Sequence, residues 1–364
     1  MTTIKVLVID DSSVIRNIIK EALSQAPNIT VIGEAEDPLV ARELIKKLNP
    51  DILTLDVEMP KMDGITFLSN LMRLRPMPVI MLSTLTKKGA DITLRALEIG
   101  AIDFIAKPSV QELLATKNSF KEILIDKITQ AATVDQKNYK LNDNLTNKTS
   151  LNTNVLSFNG VKRSNHIVAI GASTGGTEAL KKLLVTLPEN SPPIVIAQHI
   201  PKSFSLSFAK RLNELCPMQV HEASHGQKIK QGNVYIAPGD LHLEVVNKNG
   251  ALFCTLADTP EVNRHKPSVD VLFDSLLDFA GNVQAVLLTG MGQDGAKGML
   301  RLKQHGAKTL VQDKNSSLIW GMPGKAHALG AHCLALPLSD IGKSILDYAQ
   351  LNRDEMKEDL YEYQ

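Results

Sequence analysis

Three side chains with complementary chemistry each follow a short apolar run: Ser173 in VAIGASTGG, His199 in PPIVIAQH and Asp294 in VLLTGMGQDGAKGM. A hydroxyl, an imidazole and a carboxylate are the parts of acyl transfer, in which the hydroxyl attacks a carbonyl, the ring takes its proton and the acid orients the ring. Gly171-Ala172-Ser173-Thr174-Gly175 fits G-x-S-x-G, where small neighbours let a serine be displayed at a sharp strand-to-helix turn. Taken alone, the stretch also admits a phosphate cradle or a simple tight connection. A dinucleotide fingerprint needs glycine at the position of Ser173 and an acid at the end of the next strand, and that strand ends in Gln198-His199. If His199 closes its strand, both side chains emerge at one sheet edge and the ring can act as general base. Asp294 is the strongest candidate to orient the ring, but it could equally N-cap the helix GAKGMLRL, and spacing leaves both roles open. The order Ser, His, Asp differs from that of α/β-hydrolases, which disfavours a lipase-type enzyme. Backbone N–H groups after Ser173 and around Met291 are natural donors to an oxyanion.

His221-Glu222-Ala223-Ser224-His225 matches H-E-x-x-H, a zinc-protease pattern that works only on a helix. It lies between Pro217 and Gly226 in a stretch that reads as a strand, so metalloprotease chemistry is disfavoured. His166, His242, His265, His305, His327 and His332 are expected to be satisfied surface or edge residues.

A second set of groups gathers near the start of the chain. Asp10 and Asp11 end the first apolar run, Asp56 ends DILTLD, Ser83 ends PVIMLS and Lys107 follows FIA. Functional groups collect at the carboxyl ends of parallel strands. Three carboxylates there would repel one another unless a divalent cation sat among them, and an all-oxygen site with room for water suits Mg²⁺. A lysine opposite could hold phosphoryl oxygens.

The elements that must position these residues read as two βα series. From residue 4 to about 131, short β-branched runs alternate with amphipathic segments, hence a parallel sheet with helices on both faces. A second series begins at HIVAIGA, with some antiparallel pairing suggested around residues 233 to 256. The expected organisation is a first domain over 1–131, a polar Asn/Thr/Lys-rich linker over 132–159, a second domain over 160–350 and an acidic tail over 351–364. Both domains are expected to be α/β and doubly wound, the second mainly parallel. The 364 residues carry 40 Lys+Arg against 39 Asp+Glu, and the balance from residue 157 onward is 21 against 20, so no basic nucleic-acid face is evident. The three cysteines are scattered and read as buried apolar residues in a reducing compartment. Two early aspartates interrupt any signal peptide and no run approaches membrane-spanning length, so a cytoplasmic protein without membrane insertion is expected.

Asp10-Asp11, Asp56, Met59-Pro60, Asp63-Gly64, Ser83 and Lys107-Pro108 together resemble the flavodoxin-like receiver domain of two-component response regulators. The resemblance implies that Asp56 accepts a phosphoryl group from a histidine kinase, and that Asp11 and Asp56 bind Mg²⁺ with the Glu58 carbonyl. It implies further that Asp10 assists, that Lys107 contacts phosphoryl oxygens and that Ser83 and Phe104 form a switch pair. IGASTGG, AQHIP, YIAPGDLH, NRHKPSVDVLFDS and LLTGMGQDGAKGM resemble the catalytic domain of chemotaxis protein-glutamate methylesterases. That resemblance implies hydrolysis of glutamate γ-methyl esters on chemoreceptors, often with glutamine deamidation. Ser173 is then the nucleophile, His199 the base and then acid, Asp294 the orienting group, Met291 a backbone oxyanion donor and Arg264 a substrate-positioning group. No cofactor is implied for the esterase step. The unphosphorylated receiver is implied to limit access to the catalytic face. The alternative is a response regulator with a non-enzymatic output, by docking or transcription. A helix-turn-helix output would be smaller, mostly helical and more basic than this βα-rich half.

Overall fold

A computed structural model describes residues 3–59, 62–84, 86–107, 110–134, 155–161 and 165–351. Most of the expected linker, nearly all of the expected tail, and Pro60 and Pro108 lie outside the described residues. The chain divides into two compact units, Met1–Ser150 and Leu151–Gln364.

The first unit alternates strands β1 Ile4–Ile9, β2 Ile29–Ala35, β3 Ile52–Asp56, β4 Val79–Ser83 and β5 Asp103–Ala106 with helices α1 Ser13–Leu23, α2 Pro38–Leu48, α3 Gly64–Leu74, α4 Lys87–Ile99 and α5 Val110–Ala131. The sheet order is β2-β1-β3-β4-β5, all parallel, the flavodoxin-like doubly wound arrangement. Helix starts follow local chemistry: Ser12, Asp37, Asp63 and Thr86 each accept a backbone N–H of the first turn, and Pro38 opens α2 where its missing donor costs nothing. Because Ser12 caps α1, Asp11 is exposed beside the strand ends. Strands β3 and β4 are buried along their whole length, as expected of parallel strands covered on both faces.

The second unit is built on a seven-stranded parallel sheet, ordered β14-β13-β12-β6-β7-β9-β8. Its strands are β6 Ile167–Ala172, β7 Ile194–Gln198, β8 Gln219–Glu222, β9 Asn233–Ile236, β12 Val283–Leu287, β13 Lys308–Gln312 and β14 Leu334–Leu336. Its helices are α6 Gly176–Leu184, α7 Lys202–Leu215, α8 Val269–Asp274, α9 Ala296–Gln304, α10 Met322–Ala328 and α11 Leu338–Gln350. The antiparallel pairing expected over 233–256 is narrower than that. It is confined to a separate hairpin of β10 His242–Lys248 and β11 Ala251–Ala257, while β9 pairs parallel to β7 and β8. The hairpin turns on Asn249-Gly250, both with positive φ, which is the two-residue turn whose twist matches paired strands. Among the described residues, no helix is long and apolar enough to cross a membrane.

The chain leaves β6 toward β7 on one side and returns through β12 on the other, so the loops after β6 and β12 flank a topological switch point. Val269, the first residue of α8, is wedged against these loops: a Cβ at Gly171 would lie 2.3 Å from Val269 Cγ1, and one at Gly295 2.5 Å from the same atom. Gly171→Ala is therefore expected to lower stability by about 1–3 kcal/mol through overpacking. Gly281→Ala, where a Cβ meets nothing within 4 Å, stays within about 0.5 kcal/mol of wild type, and urea midpoints of the two variants compare them directly.

Candidate active site

Ser173 and His199 each stand one residue beyond a strand end, and the β6–β7 register pairs Ala172 with Gln198, so the two side chains leave adjacent strands at the same level. The turn after Ser173 depends on Gly175, held at φ +76 as the first α6 turn begins. Four backbone and side-chain contacts hold the pair. Ser173 N–H donates to Thr289 C=O at 3.1 Å and His199 N–H to Ala172 C=O at 3.1 Å. The buried Gln198 amide donates to the carbonyls of Ser173 at 3.0 Å and His199 at 3.2 Å.

His199 Nδ1 lies 3.1 Å from Ser173 Oγ, and His199 Nε2 lies 2.9 Å from Asp294 Oδ2. Flipping the ring would present carbons to both partners, so the two contacts fix its orientation. An ionised carboxylate only accepts, hence Nε2 carries the proton and the Nδ1 lone pair faces the hydroxyl. The nitrogens are thus used in the opposite sense to the chymotrypsin arrangement, where Nε2 faces the serine.

Asp294 is 1% exposed and accepts five hydrogen bonds. Oδ2 receives His199 Nε2–H and Val269 N–H at 2.7 Å. Oδ1 receives the Asn263 amide at 2.7 Å, Ser268 Oγ–H at 2.8 Å and Asp270 N–H at 3.2 Å. Burial alone would raise its pKa. The hydrogen bond and charge of His199, with the Asn263 and Val269 donors, outweigh burial and hold the carboxyl well below the usual range. Asp294 does not cap its own helix: α9 starts from Gly295 with no side-chain cap, and the carboxylate meets N–H groups at the start of α8 instead. Of the two contacts left open by spacing, the carboxylate makes the one to the ring and not the cap of its own helix.

Met291 follows β12, and its N–H donates to no acceptor among the described residues. A Cβ at Gly290 would lie 2.8 Å from Ser173 Cβ, so this loop runs directly against the serine. Arg264 is exposed in a turn with φ +66. The motif around it contributes Asn263, Ser268 and Asp270, groups not singled out from sequence, and His265, whose ring stacks on His199 at 3.6 Å between centroids and 15° between planes. His265 is therefore not a simple surface or edge residue. Nor are His166 and His242, which are buried: His166 Nδ1 meets Asn282 C=O, and His242 Nδ1 accepts Ser268 N–H at 3.1 Å. His166 also packs edge-on to Tyr348 of α11 and His242 Nε2 meets Pro260 C=O, partners that only the fold brings to them.

The H-E-x-x-H stretch begins on the last two residues of β8 and runs past its end, with no helix, and there His221 bonds Asn233 and Glu222 accepts from Ser205. The cysteines are free, and burial pushes the Cys216 and Cys254 thiols up to about 12, so neither offers a thiolate.

In the first unit, ligand atoms of Asp10, Asp11 and Asp56 lie within 4.8 Å of one another, an acidic cluster typical of Mg²⁺ sites. Lys107 Nζ lies 2.7 Å from Asp10 Oδ2 and 2.8 Å from Asp56 Oδ1. Burial raises Asp56 to about 6 against the pull of Lys107, with the Asp10 charge adding to the rise. The cluster is short of positive charge, which fits a divalent cation. Lys107 itself is held up by Asp56 and Asp10 although burial opposes it. Glu58 N–H donates to Asp56 Oδ1 at 3.2 Å. Gly64 is required by close approach, since a Cβ there would lie 2.2 Å from Asp56 C=O. Ser83 and Phe104 share one face of the sheet, because Met81 pairs with Phe104 and Ser83 lies one pleat further along.

The fold and site define a receiver-type α/β unit followed by an α/β unit with a serine-hydrolase constellation. Residues 6–118 match the model of the response regulator receiver domain and residues 168–345 that of the CheB methylesterase. The chain is 48% identical over 373 aligned positions to a protein-glutamate methylesterase/protein-glutamine glutaminase of Hydrogenovibrio crunogenus, covering 95% of this chain and 99% of that protein. It is 50% identical over 344 positions to one from Hahella chejuensis, covering 94% and 95%. The solved CheB methylesterase catalytic domain of Thermotoga maritima aligns with a TM-score of 0.50 and 37% identity, over 51% of this chain and all of that one. The chain belongs to the protein-glutamate methylesterase/protein-glutamine glutaminase family.

The raised Asp56 pKa has a stability consequence. Its folded value near 6 exceeds the ordinary 3.8, so ionisation in the fold is penalised as pH rises between the two. With metal chelated, Asp56→Asn is expected to stabilise the protein above pH 6 on the order of 2–3 kcal/mol, from about two pKa units at 1.36 kcal/mol each. The gain disappears below about pH 4, where Asp56 is protonated in both states, and denaturant titrations at the two pH values in EDTA measure it.

Proposed function

We propose that the protein hydrolyses glutamate γ-methyl esters on chemoreceptors, and deamidates receptor glutamines, under control of phosphorylation at Asp56. The observation that carries the reading is the contact chain from Ser173 Oγ through His199 Nδ1 and Nε2 to Asp294 Oδ2, 3.1 and 2.9 Å long. Ser173 attacks the ester carbonyl while His199 Nδ1 takes its proton. The same proton passes to the departing methanol, or to ammonia when the substrate is glutamine. Water, deprotonated by His199, then hydrolyses the glutamyl-enzyme and restores Ser173. The Met291 N–H stabilises the oxyanion, a donor worth roughly 3 kcal/mol in the transition state. Arg264, exposed beside this site, positions the substrate.

In the receiver domain, assigned to residues 1–131, a chemotaxis histidine kinase supplies the phosphoryl group to Asp56. Asp11, Asp56 and the Glu58 carbonyl would hold Mg²⁺, which offsets charge during phosphorylation. Asp10 assists, Lys107 contacts the phosphoryl oxygens and Ser83 with Phe104 transmits the change. The catalytic domain, residues 160–350, is released from receiver-limited access by that change through the linker over 132–159. A cytoplasmic location fits both partners, the kinase and the cytoplasmic helices of the receptors.

Wild type is expected to release methanol from methylated receptor, faster when acetyl phosphate and Mg²⁺ are present. Ser173→Ala should lower kcat on the order of 10⁵-fold or more. A Ser173→Ala protein that still demethylates receptor would remove Ser173 as the nucleophile, and a wild type that releases no methanol would remove the enzymatic reading and leave a non-enzymatic output. A fragment from residue 155 no faster than the unphosphorylated full chain would remove the regulatory one.

A further inference from the structure

Val262 and His265 exchange backbone hydrogen bonds at 3.2 and 3.0 Å across a two-residue turn. Its central residues, Asn263 at φ 54 and Arg264 at φ 66, both lie in the left-handed region, as the type I′ turn requires. Asn, Asp and Gly would all tolerate the first of these positions. The asparagine side chain does something the other two cannot. Its Nδ2 lies 2.7 Å from Asp270 Oδ2 and 2.7 Å from Asp294 Oδ1. An amide nitrogen has two protons, and each carboxylate takes one. Turning the amide over would set its carbonyl oxygen against two carboxylate oxygens, so the donor orientation is dictated by chemistry.

Asp270 is 5% exposed, and its other oxygen accepts Gly298 N–H at 2.6 Å. Two buried carboxylates thus face one another across a single amide. Without that amide, Asp270 Oδ2 loses its donor and repels Asp294 directly, and the Asp294 carboxylate is pushed to rotate about its own axis. Rotation would take Oδ2 off the line to His199 Nε2, and the Nδ1 lone pair off Ser173.

We propose that Asn263 is a positioning residue for acyl transfer, its amide bridging the Asp270 and Asp294 carboxylates so that Asp294 stays aligned on His199. The proposal rests on the reading of Ser173, His199 and Asp294 given above. The Asn263 amide bonds the two carboxylates and makes no hydrogen bond to Ser173, so the effect is expected on kcat and not on KM.

Two variants of the full chain keep the turn conformation while changing the side chain. Asn263→Gly removes the amide, and Asn263→Asp puts a third acceptor between the two carboxylates. Methanol release from methylated receptor gives kcat and KM. The low-field ¹H NMR signal of the His199 Nε2 proton, assigned by its loss in His199→Gln, reports the alignment without any substrate. For Asn263→Gly, kcat is expected to fall about 10- to 100-fold with KM within about twofold of wild type, the size of effect a misplaced catalytic group produces. Asn263→Asp should fall further, and the low-field signal should shift or broaden in both. A kcat within twofold of wild type in Asn263→Gly, a rise confined to KM, or an unchanged low-field signal would each overturn the proposal. If wild type released no methanol while the signal still moved in both variants, the functional reading would fail and the bridge would stand.

Discussion

The Asp294 carboxylate is the constraint around which the second unit is arranged. An ionised acid buried to 1% exposure is tolerated only if several donors replace its lost water. Five do so, and four of them come from one segment, residues 263–270. That segment must therefore lie against the ends of β6 and β12, and the packing there follows from it. Val269 fits between Gly171 and Gly295 because neither glycine carries a Cβ. His242 in turn holds Ser268 N–H, so the support extends a layer beyond the groups that touch the acid. A carboxylate held at both oxygens then fixes the ring, and the ring fixes which nitrogen meets the serine.

The first unit handles buried carboxylates in the opposite way. There, one lysine faces both Asp10 and Asp56, and Asp56 remains undercompensated enough for burial to raise its pKa. In the second unit the acid is saturated with donors and held in one orientation; in the first, the deficit of positive charge makes the cluster receptive to a cation. Both sites lie at the carboxyl ends of parallel strands, where strand ends bring side chains from distant sequence positions to one edge. The difference between them lies in how much compensation the surrounding backbone supplies.

Much of this architecture was legible in the chain itself. β-branched runs alternating with amphipathic segments identified both parallel sheets, because period and composition report burial on two faces. Glycines beside Ser173 marked a sharp turn, and the structure puts a side chain within 3 Å of a Cβ at Gly175; Asp63-Gly64 was legible only through the receiver resemblance, and its close approach to the Asp56 carbonyl came from the fold. Antiparallel pairing was legible around residues 233 to 256, but its extent was not, since β9 joins the parallel sheet by crossover and only β10 and β11 form the hairpin.

Sequence by itself determined which residue types stood at the strand ends, and so which chemistry was available: a serine, a base and an acid in one half, three carboxylates and a lysine in the other. Tertiary structure alone decided what each group does with its neighbours. Asp294 faces the N–H groups of α8 rather than those of the helix it precedes, His265 lies on His199, and Asn263 bridges two acids. Apart from the Asn263–Asp270 bond, 7 residues apart, these choices depend on contacts between segments separated by 24 to 66 residues. Local propensity carries no record of such contacts, because the groups that satisfy a buried charge are selected by where the chain returns in space.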